Sequence, residues 1–358
     1  MRVVDLFCGG GGLSLGAHQA GFSIAAAIDN DPILVSSYAY NFPDTKLVLE
    51  DVTKLDGEAV REAAGGQVHA IVGGPPCQGF SAIGRRNPDD PRRRLLDDFF
   101  RIVGEVQPVF FVMENVLGLG YANARYILDE ALRHTKGYGT LGPVVWNAAE
   151  FGAATNRARL FVVGIHEDYG DPLKAEDLDF LKQPAASVRA AIVDLENASA
   201  LADEDDFDTW RITRVGRPTD YARALRSADG HFTGHRKTRH SESVARRFAG
   251  VSAGGVDRIG RHPRLSWSGQ SPAIRAGTGA DRGSYQAVRP IHPQHPRVIT
   301  VREAARLQGF PDRHRFHPTI WHSFRMIGNS VSPIMARAIF QGISNRLRES
   351  GHQGQSAE

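Results

Sequence analysis

The strongest constraint on this chain is a rhythm in its first half. Six short apolar runs, Val3–Phe7, Ile24–Asp29, Leu47–Asp51, Ala70–Gly74, Val109–Val116 and Leu160–Ile165, alternate with longer mixed segments. They are rich in β-branched and aromatic residues and apolar on both faces, which is the pattern of parallel strands buried under helices. The gaps between most of them are long enough for a crossover helix, so the expected fold class is α/β with helices on both faces of one sheet. Such sheets bind ligands at the carboxyl ends of their strands. Polar and glycine residues cluster at those ends, in CGGGG (8–12), DND (29–31), EDVT (50–53), GGPPCQGFS (73–81) and ENV (114–116).

From about residue 168 the rhythm is lost. Residues 168–208 hold 12 acidic against 3 basic residues, and residues 209–264 hold 13 basic against 4 acidic. The formal net charge of +3 therefore conceals two opposed blocks. Gly and Ser become frequent there, and a second, loop-rich module is expected. Regularity returns in PRVITVREAARLQGFPD (296–312), where Thr300 can cap a helix and Glu303 can complete a capping box. A further helix is expected from Pro333 toward Leu347, followed by a disordered polar tail over 349–358. No internal repeat is found.

Composition narrows the class. At 358 residues and 41% hydrophobic the chain can build a sizeable core, most simply in two domains. Mean hydropathy is −0.30, and no run of 18 apolar residues suggests a membrane span. The N-terminus runs straight into a strand with no leader pattern, so a cytoplasmic protein is expected. Cys8 and Cys77 are the only cysteines, which excludes a disulfide framework and a four-cysteine metal centre; no metal is expected.

Gly9–Gly12 lie between a strand and a helix, where backbone amides can approach a ligand, although a tight turn without a ligand would look the same. Asp29 ends the second strand, where a carboxylate can hold ribose hydroxyls, and Asp51 ends the third, within reach of an adenine amino group. These features point to an adenosine-containing cofactor and do not separate a dinucleotide from S-adenosylmethionine. Pro75 and Pro76 stiffen the backbone ahead of Cys77, which suits a nucleophile held at the mouth of the sheet; a buried structural cysteine is the plainer alternative. Glu114 ends an apolar run at the same edge, where desolvation would raise its pKa. Arg157 and Arg159 alternate ahead of the last run, placing both guanidinium groups on one face. A charged strand end would explain them equally well.

Taken together, DLFCGGGGLSLG (5–16), GGPPCQGFS (73–81), ENV (114–116), NRAR (156–159), REAARLQGFPD (302–312) and GNSV (328–331) resemble the DNA (cytosine-5) methyltransferase family in residue type and in order. The resemblance covers most of residues 3–165 and 296–340. It implies a Rossmann-like, class I S-adenosylmethionine-dependent sheet plus a smaller, irregular target-recognition domain. It implies that the Cys77 thiolate adds to C6 of a flipped-out cytosine, making C5 able to take a methyl group from S-adenosylmethionine and leaving S-adenosylhomocysteine. Glu114 would hold and protonate N3 and Arg159 would donate to O2, with Arg157 beside them.

By the same resemblance the cofactor would be held by Phe7, Gly9, Gly11, Gly12, Leu13, Asp29, Asn30, Asp51, Val52, Pro75, Leu95, Asn329 and Val331. Residues 82–96, with five arginines, look like the mobile loop that closes over DNA. Contacts to DNA are expected from Ser81, Arg85, Arg86 and Arg92 of that region and from Arg236, Lys237 and Arg239 of the basic block, with the acidic stretch 202–208 on the outer side. The implied plan is a discontinuous catalytic domain, 1–194 and 296–348, with the recognition domain and its hinge inserted at 195–295. The implied partner is double-stranded DNA, with any cognate restriction endonuclease acting separately and the enzyme itself a monomer in a prokaryotic cytoplasm. Ala154 and Thr155 stand where the family commonly has Pro-Gln, and Asp29 replaces a commoner glutamate; neither change removes a catalytic group. Cys8 is assigned packing alone.

Three other readings share the fold or part of it. A tRNA cytosine-5 methyltransferase would carry a Cys-Phe-Thr signature that is missing here, and needs no basic insertion of this size. A catalytically silent DNA-binding homologue would have no need of Cys77, Glu114 and Arg159 together. A nicotinamide dehydrogenase leaves Cys77 and the basic block unexplained.

Overall fold

The computed structural model describes residues 1–76, 91–122, 124–204, 206–213, 217–277 and 288–355, with the side chains of 91–93 and 351–355 left aside. Five parallel strands form the heart of a seven-stranded sheet: β1 (Arg2–Leu6), β2 (Ser23–Asp29), β3 (Lys46–Leu49), β4 (Ala70–Gly73) and β5 (Phe110–Asn115). The sheet is completed by β6 (Tyr138–Asn147) and, after the two-residue β7 (Thr155–Asn156), by β8 (Ala158–His166). The strand order is β3-β2-β1-β4-β5-β8-β6, so the winding reverses between β1 and β4. A crevice opens at such a reversal, outside the carboxyl ends of the two strands.

All six expected strands are present within one or two residues of their expected bounds, but the sixth corrects the expectation of a wholly parallel sheet. β8 runs antiparallel to β5 and to β6. An apolar run buried on both faces reports burial, not direction. β6 escaped the sequence reading because its sequence, YGTLGPVVWN, carries two glycines and a proline at the sheet edge.

The helices α1 (Gly12–Gln19), α2 (Tyr38–Asn41), α3 (Gly57–Ala64), α4 (Pro91–Val106) and α5 (Arg125–Ala131) follow in chain order. Two apolar layers cover the sheet. One joins Val3, Leu13, Phe110, Val163 and Val331; the other joins Leu6, Ile28, Val52, Phe99 and Met113. Helix α4 takes in residues 91–96, which corrects their assignment to the loop ahead of it, and Leu96 is buried on its inner face.

Beyond residue 187 come α6 (Val188–Ile192), a three-stranded antiparallel sheet of β9 (Ala198–Ala200), β10 (Thr209–Ile212) and β11 (His231–Thr233), and the helices α7 (Asp220–Leu225) and α8 (Glu242–Ala249). The pair β12 (Ser271–Pro272) then lies beside β7. The C-terminal helices are α9 (Val301–Gln308), α10 (Ile320–Asn329) and α11 (Pro333–Gln355). α9 starts on the expected capping box: Thr300 accepts from Glu303 N and Glu303 accepts from Thr300 N. α11 begins at Pro333 as expected but continues to Gln355, which corrects the expectation of a disordered tail from 349. Among the described residues no helix is long and apolar enough to cross a membrane.

Candidate active site

The crevice is built from chain segments that meet at strand ends. After β1 the backbone turns through Phe7 at φ 61°, the left-handed region that non-glycine residues rarely enter and that marks a constrained site. The turn that follows is held from three sides. Gly9 N donates to Asp29 Oδ2 at 2.9 Å, Asp31 N donates to Asp29 Oδ1 at 2.9 Å, and His314 Nε2 donates to the Gly10 carbonyl at 3.0 Å. Gly12 then packs so closely on the C-terminal segment that a Cβ there would collide with the Val331 carbonyl. The first and last quarters of the chain therefore form one wall. Arg325 of α10 adds an ion pair to Asp31 at 2.9 Å.

Asp29 is buried, and desolvation raises its pKa against the lowering effect of the amides it accepts from. Asn30 and Asn329 are exposed at the ends of β2 and α10, and Leu13 and Val52 are buried beneath the crevice. Asp51 caps the turn 52–54 by accepting from Thr53 N at 3.0 Å, which lowers its pKa. Leu95 is half-buried on α4. An adenosine-bearing ligand fits this donor set. A Cβ built at Gly9 would find only Asp29 Oδ2, 4.0 Å away, so space is open beside a carboxylate that faces it.

On the other side of the reversal, β4 and β5 present the acid. Glu114, next to last in β5, is 8% exposed, with Arg159 Nε 3.0 Å from its Oε1. Burial raises its pKa, and the nearby charges of Arg159 and Arg157 pull it back only in part. A carboxyl group in that condition holds its proton above the ordinary carboxylate range. A Cβ at Gly74 would lie 2.9 Å from Glu114 Oε2, so glycine is the residue that leaves room for the acid. Asn115 Nδ2 donates to the Pro75 carbonyl at 3.1 Å and pins the start of the loop that leads to Cys77 against the end of β5. Pro75 itself is buried. Cys77, Ser81, Arg85 and Arg86 lie outside the described residues, as does the side chain of Arg92.

The two arginines expected on one face have separated. Arg159 pairs with Glu114, whereas Arg157 is fully buried and donates to the carbonyls of Ile274 at 3.2 Å and Gly328 at 2.6 Å. Arg157 thus ties the strand that carries Arg159 to the end of α10 and to the segment after β12. Its expected place in the catalytic group becomes one of support. Cys8 is buried in an apolar cluster with Val35, Tyr38 and Phe42, and desolvation pushes its thiol pKa up, away from reactivity.

Several supporting residues were invisible in the sequence. Asp5 lies on β1, 1% exposed, accepting from the Ser14 hydroxyl, which also meets Tyr38 Oη at 2.7 Å; burial pushes its pKa up to about 7. Arg302 of α9 is fully buried without a carboxylate partner among the described residues. It donates to the carbonyls of Thr233, Pro311 and His314, and so carries the turn whose His314 steadies Gly10. These contacts join residues far apart in sequence, and no local pattern signals them.

In the basic block, Lys237 and Arg239 are exposed, while Arg236 pairs with Asp203 at 2.8 Å. Asp208 accepts from the backbone N–H groups of Gly234, His235 and Arg236 at 2.7 to 2.9 Å. In the acidic stretch, expected on the outer side, Asp203, Glu204 and Asp206 are exposed, and Asp208 is the residue on which the basic turn is set. Glu196, His292 and His295 bring ligand atoms within 4.8 Å of one another. His292 Nδ1 accepts from Gln294 N and His295 N, so its Nε2 carries the proton and offers a metal no lone pair.

The comparisons agree with this geometry. The family model for C-5 cytosine-specific DNA methylase matches residues 1–345. The Type II methyltransferase M.XorII of Xanthomonas oryzae pv. oryzae is 39% identical over 368 residues, spanning 97% of this chain and 85% of that protein. The crystal structure of a DNA modification methyltransferase encoded within an E. coli prophage superposes with a TM-score of 0.82 at 36% identity, covering 97% of this chain and 99% of that one. The S. pombe Dnmt2 methyltransferase, at 18% identity and a TM-score of 0.63 over 98% of this chain and 99% of its own, shares the fold. A buried acid paired with an arginine on the neighbouring strand, the six motifs in order and a family match over nearly the whole length lead to one conclusion: this chain belongs to the C-5 cytosine-specific DNA methylase family.

Proposed function

We propose that this enzyme methylates C5 of cytosine in double-stranded DNA, using Cys77 as nucleophile, Glu114 as the acid at N3 and Arg159 as the donor to O2. The observation that carries the reading is the buried Glu114–Arg159 pair beside the pinned start of the Cys77 loop. C5 of cytosine is too poor a nucleophile to attack a methyl donor unaided. Addition of a thiolate at C6 places negative charge on the ring, and protonation at N3 by Glu114 relieves it. Arg159, held by Glu114, is positioned to donate to the neighbouring O2. Loss of the C5 proton and expulsion of the thiol then restore the aromatic base. A stacked cytosine exposes neither face of C6, so the base must leave the helix, at a cost of a few kcal/mol.

S-adenosylmethionine, held by Phe7, Asp29, Asp51 and Asn329 with the Gly9–Gly12 turn, supplies the electrophilic methyl group. Residues 1–194 and 296–348 act as the catalytic domain, and residues 195–295 as the target-recognition domain. Ser81, Arg85, Arg86 and Arg92 contact the DNA, and Lys237 and Arg239 add phosphate contacts. The enzyme acts as a cytoplasmic monomer, in restriction-modification or epigenetic marking, with any cognate endonuclease acting independently.

Incubation with tritiated S-adenosylmethionine and either duplex DNA of varied sequence or tRNA tests this. Label is expected in DNA; label in tRNA alone, or in neither, defeats the reading. The Cys77→Ser variant should lose turnover entirely and keep cofactor binding. Loss of cofactor binding in that variant would make Cys77 a structural residue.

A further inference from the structure

The chain between α8 and β12 forms a narrow, closed loop whose tip presents side chains to solvent. Its two sides pair through Gly254 N to the Arg264 carbonyl (3.0 Å), Arg264 N to the Gly255 carbonyl (2.8 Å) and Asp257 N to the His262 carbonyl (2.8 Å), with Val256 and Pro263 bridged. Its base is fastened to the body of the module. Asp257, 1% exposed, pairs with Arg247 of α8 at 2.9 Å and accepts from Gly260 N at 2.6 Å. His262 Nδ1 donates to the Arg289 carbonyl at 2.8 Å, and its ring packs on Phe248, which lies buried with Ile291 and Val298.

The tip is Arg258-Ile259-Gly260-Arg261. Arg258 and Arg261 are exposed, and neither has an ion pair or side-chain hydrogen bond among the described residues. Between them Ile259 is 75% exposed, the most exposed of the large hydrophobic side chains among the described residues. Arg261 sits at φ 58°, a backbone state with an energetic cost that the anchored base sustains. A lone exposed isoleucine means nothing. Here it stands between two unpaired guanidinium groups on a backbone fixed by a buried carboxylate, in a module whose basic block faces a polyanion in the proposed reaction.

We infer that this loop is the element that reads sequence: its tip enters the major groove of duplex DNA, Arg258 and Arg261 donate to guanine O6 and N7, and Ile259 seats against a thymine methyl group. The inference rests on the proposed DNA methylation and goes beyond it by assigning specificity to three residues. Two fork-shaped donors and one apolar contact, held rigidly, match what the major groove displays. Rigidity matters because a base contact must be made in one register, whereas a phosphate contact tolerates motion.

The test exposes the wild-type enzyme and its Arg258→Ala, Ile259→Ala and Arg261→Ala variants to a randomised duplex library with S-adenosylmethionine, and locates 5-methylcytosine by bisulfite sequencing. Unfolding midpoints and S-adenosylhomocysteine binding confirm that each variant is folded. Each arginine variant should lose discrimination at one base-pair position by about 5- to 150-fold, the worth of one bidentate contact, while other positions keep their preference. Ile259→Ala should relax an A·T position by a smaller factor. A relaxed profile in either arginine variant supports the assignment. Wild-type profiles in both overturn it, whether the overall rate is kept or falls uniformly with a shallower salt dependence, as loss of a phosphate contact would give. A wild-type enzyme that methylates no duplex instead overturns the functional reading beneath it.

Discussion

The strand-end crevice and the inserted module are both rich in charge and handle it in opposite ways. In the crevice, each inward charge has polar partners: Glu114 has Arg159, Asp29 has two backbone amides, and Arg157 has two carbonyls. In the module Arg236, Arg239, Arg258 and Arg261 stay at the surface, and the carboxylates Asp208 and Asp257 set the backbone beneath them. Desolvation is what separates the two. A buried acid has its proton affinity altered and can do chemistry, whereas a solvated guanidinium keeps its ordinary charge and can only make contact. In the proposed function the crevice is the reactive part and the module the presenting one.

The sharpest way to break that contrast is at Glu114. Its replacement by Ala should lower the turnover number by about 10²- to 10⁴-fold with cofactor affinity retained, as read by single-turnover methyl transfer and calorimetry. Glu114→Gln separates the proton from the hydrogen bond. Because the folded-state pKa of Glu114 is raised, the protonated form is lost as pH climbs through that value. The wild-type rate should therefore carry a declining alkaline limb that the Gln variant, which does not titrate, lacks. An identical limb in both enzymes would assign it to another group.

Next in size is Arg157→Ala. It leaves two buried carbonyls without a donor and a cavity between β8 and α10, at a cost of about 2–4 kcal/mol in urea unfolding. If Arg157 is a support rather than a reacting group, the Michaelis constant for the cofactor should rise along with the loss of stability. A fall in turnover number alone would return it to the chemistry.

Asp5 offers a pH test of buried charge. Its folded pKa of about 7 lies well above the ordinary carboxylate value. The folded state therefore binds more protons than the unfolded one over that interval, and stability falls as pH rises through it. Asp5→Asn should flatten this decline between pH 5 and 8 and stabilise the protein by about 1–3 kcal/mol at pH 8, as read from unfolding midpoints. A parallel pair of curves would show the burial cost to be met elsewhere.

The smallest effect is expected in the module. Asp208→Ala removes the common acceptor of three backbone amides, worth about 1–2 kcal/mol locally. It should speed hydrogen exchange at Gly234, His235 and Arg236 while leaving the sheet amides protected. Uniform protection throughout would deny the anchor its role.

Much of this was legible in the sequence, and the exceptions share a cause. The parallel strands showed themselves because burial on both faces demands unbroken apolar runs, and α9 because its capping box is complete within four residues. Glu114 could be picked out as an acid at a strand end. Arg157 and Arg159 could not be told apart, since what distinguishes them is a carbonyl 117 residues away, another 171 residues away, and a carboxylate on the neighbouring strand. The direction of β8 was unreadable because an apolar run has no polarity.

By itself, the sequence determined the class of sheet, the strand ends at which chemistry could sit and the order of motifs that mark the family, all consequences of local pattern and side-chain type. Only the tertiary structure decided which arginine faces the acid, that His314 holds the glycine turn, and that acidic residues mould the basic segment. Those outcomes depend on which distant groups are buried together, and the free energy of a buried polar group is set by its partner rather than by its neighbours in the chain.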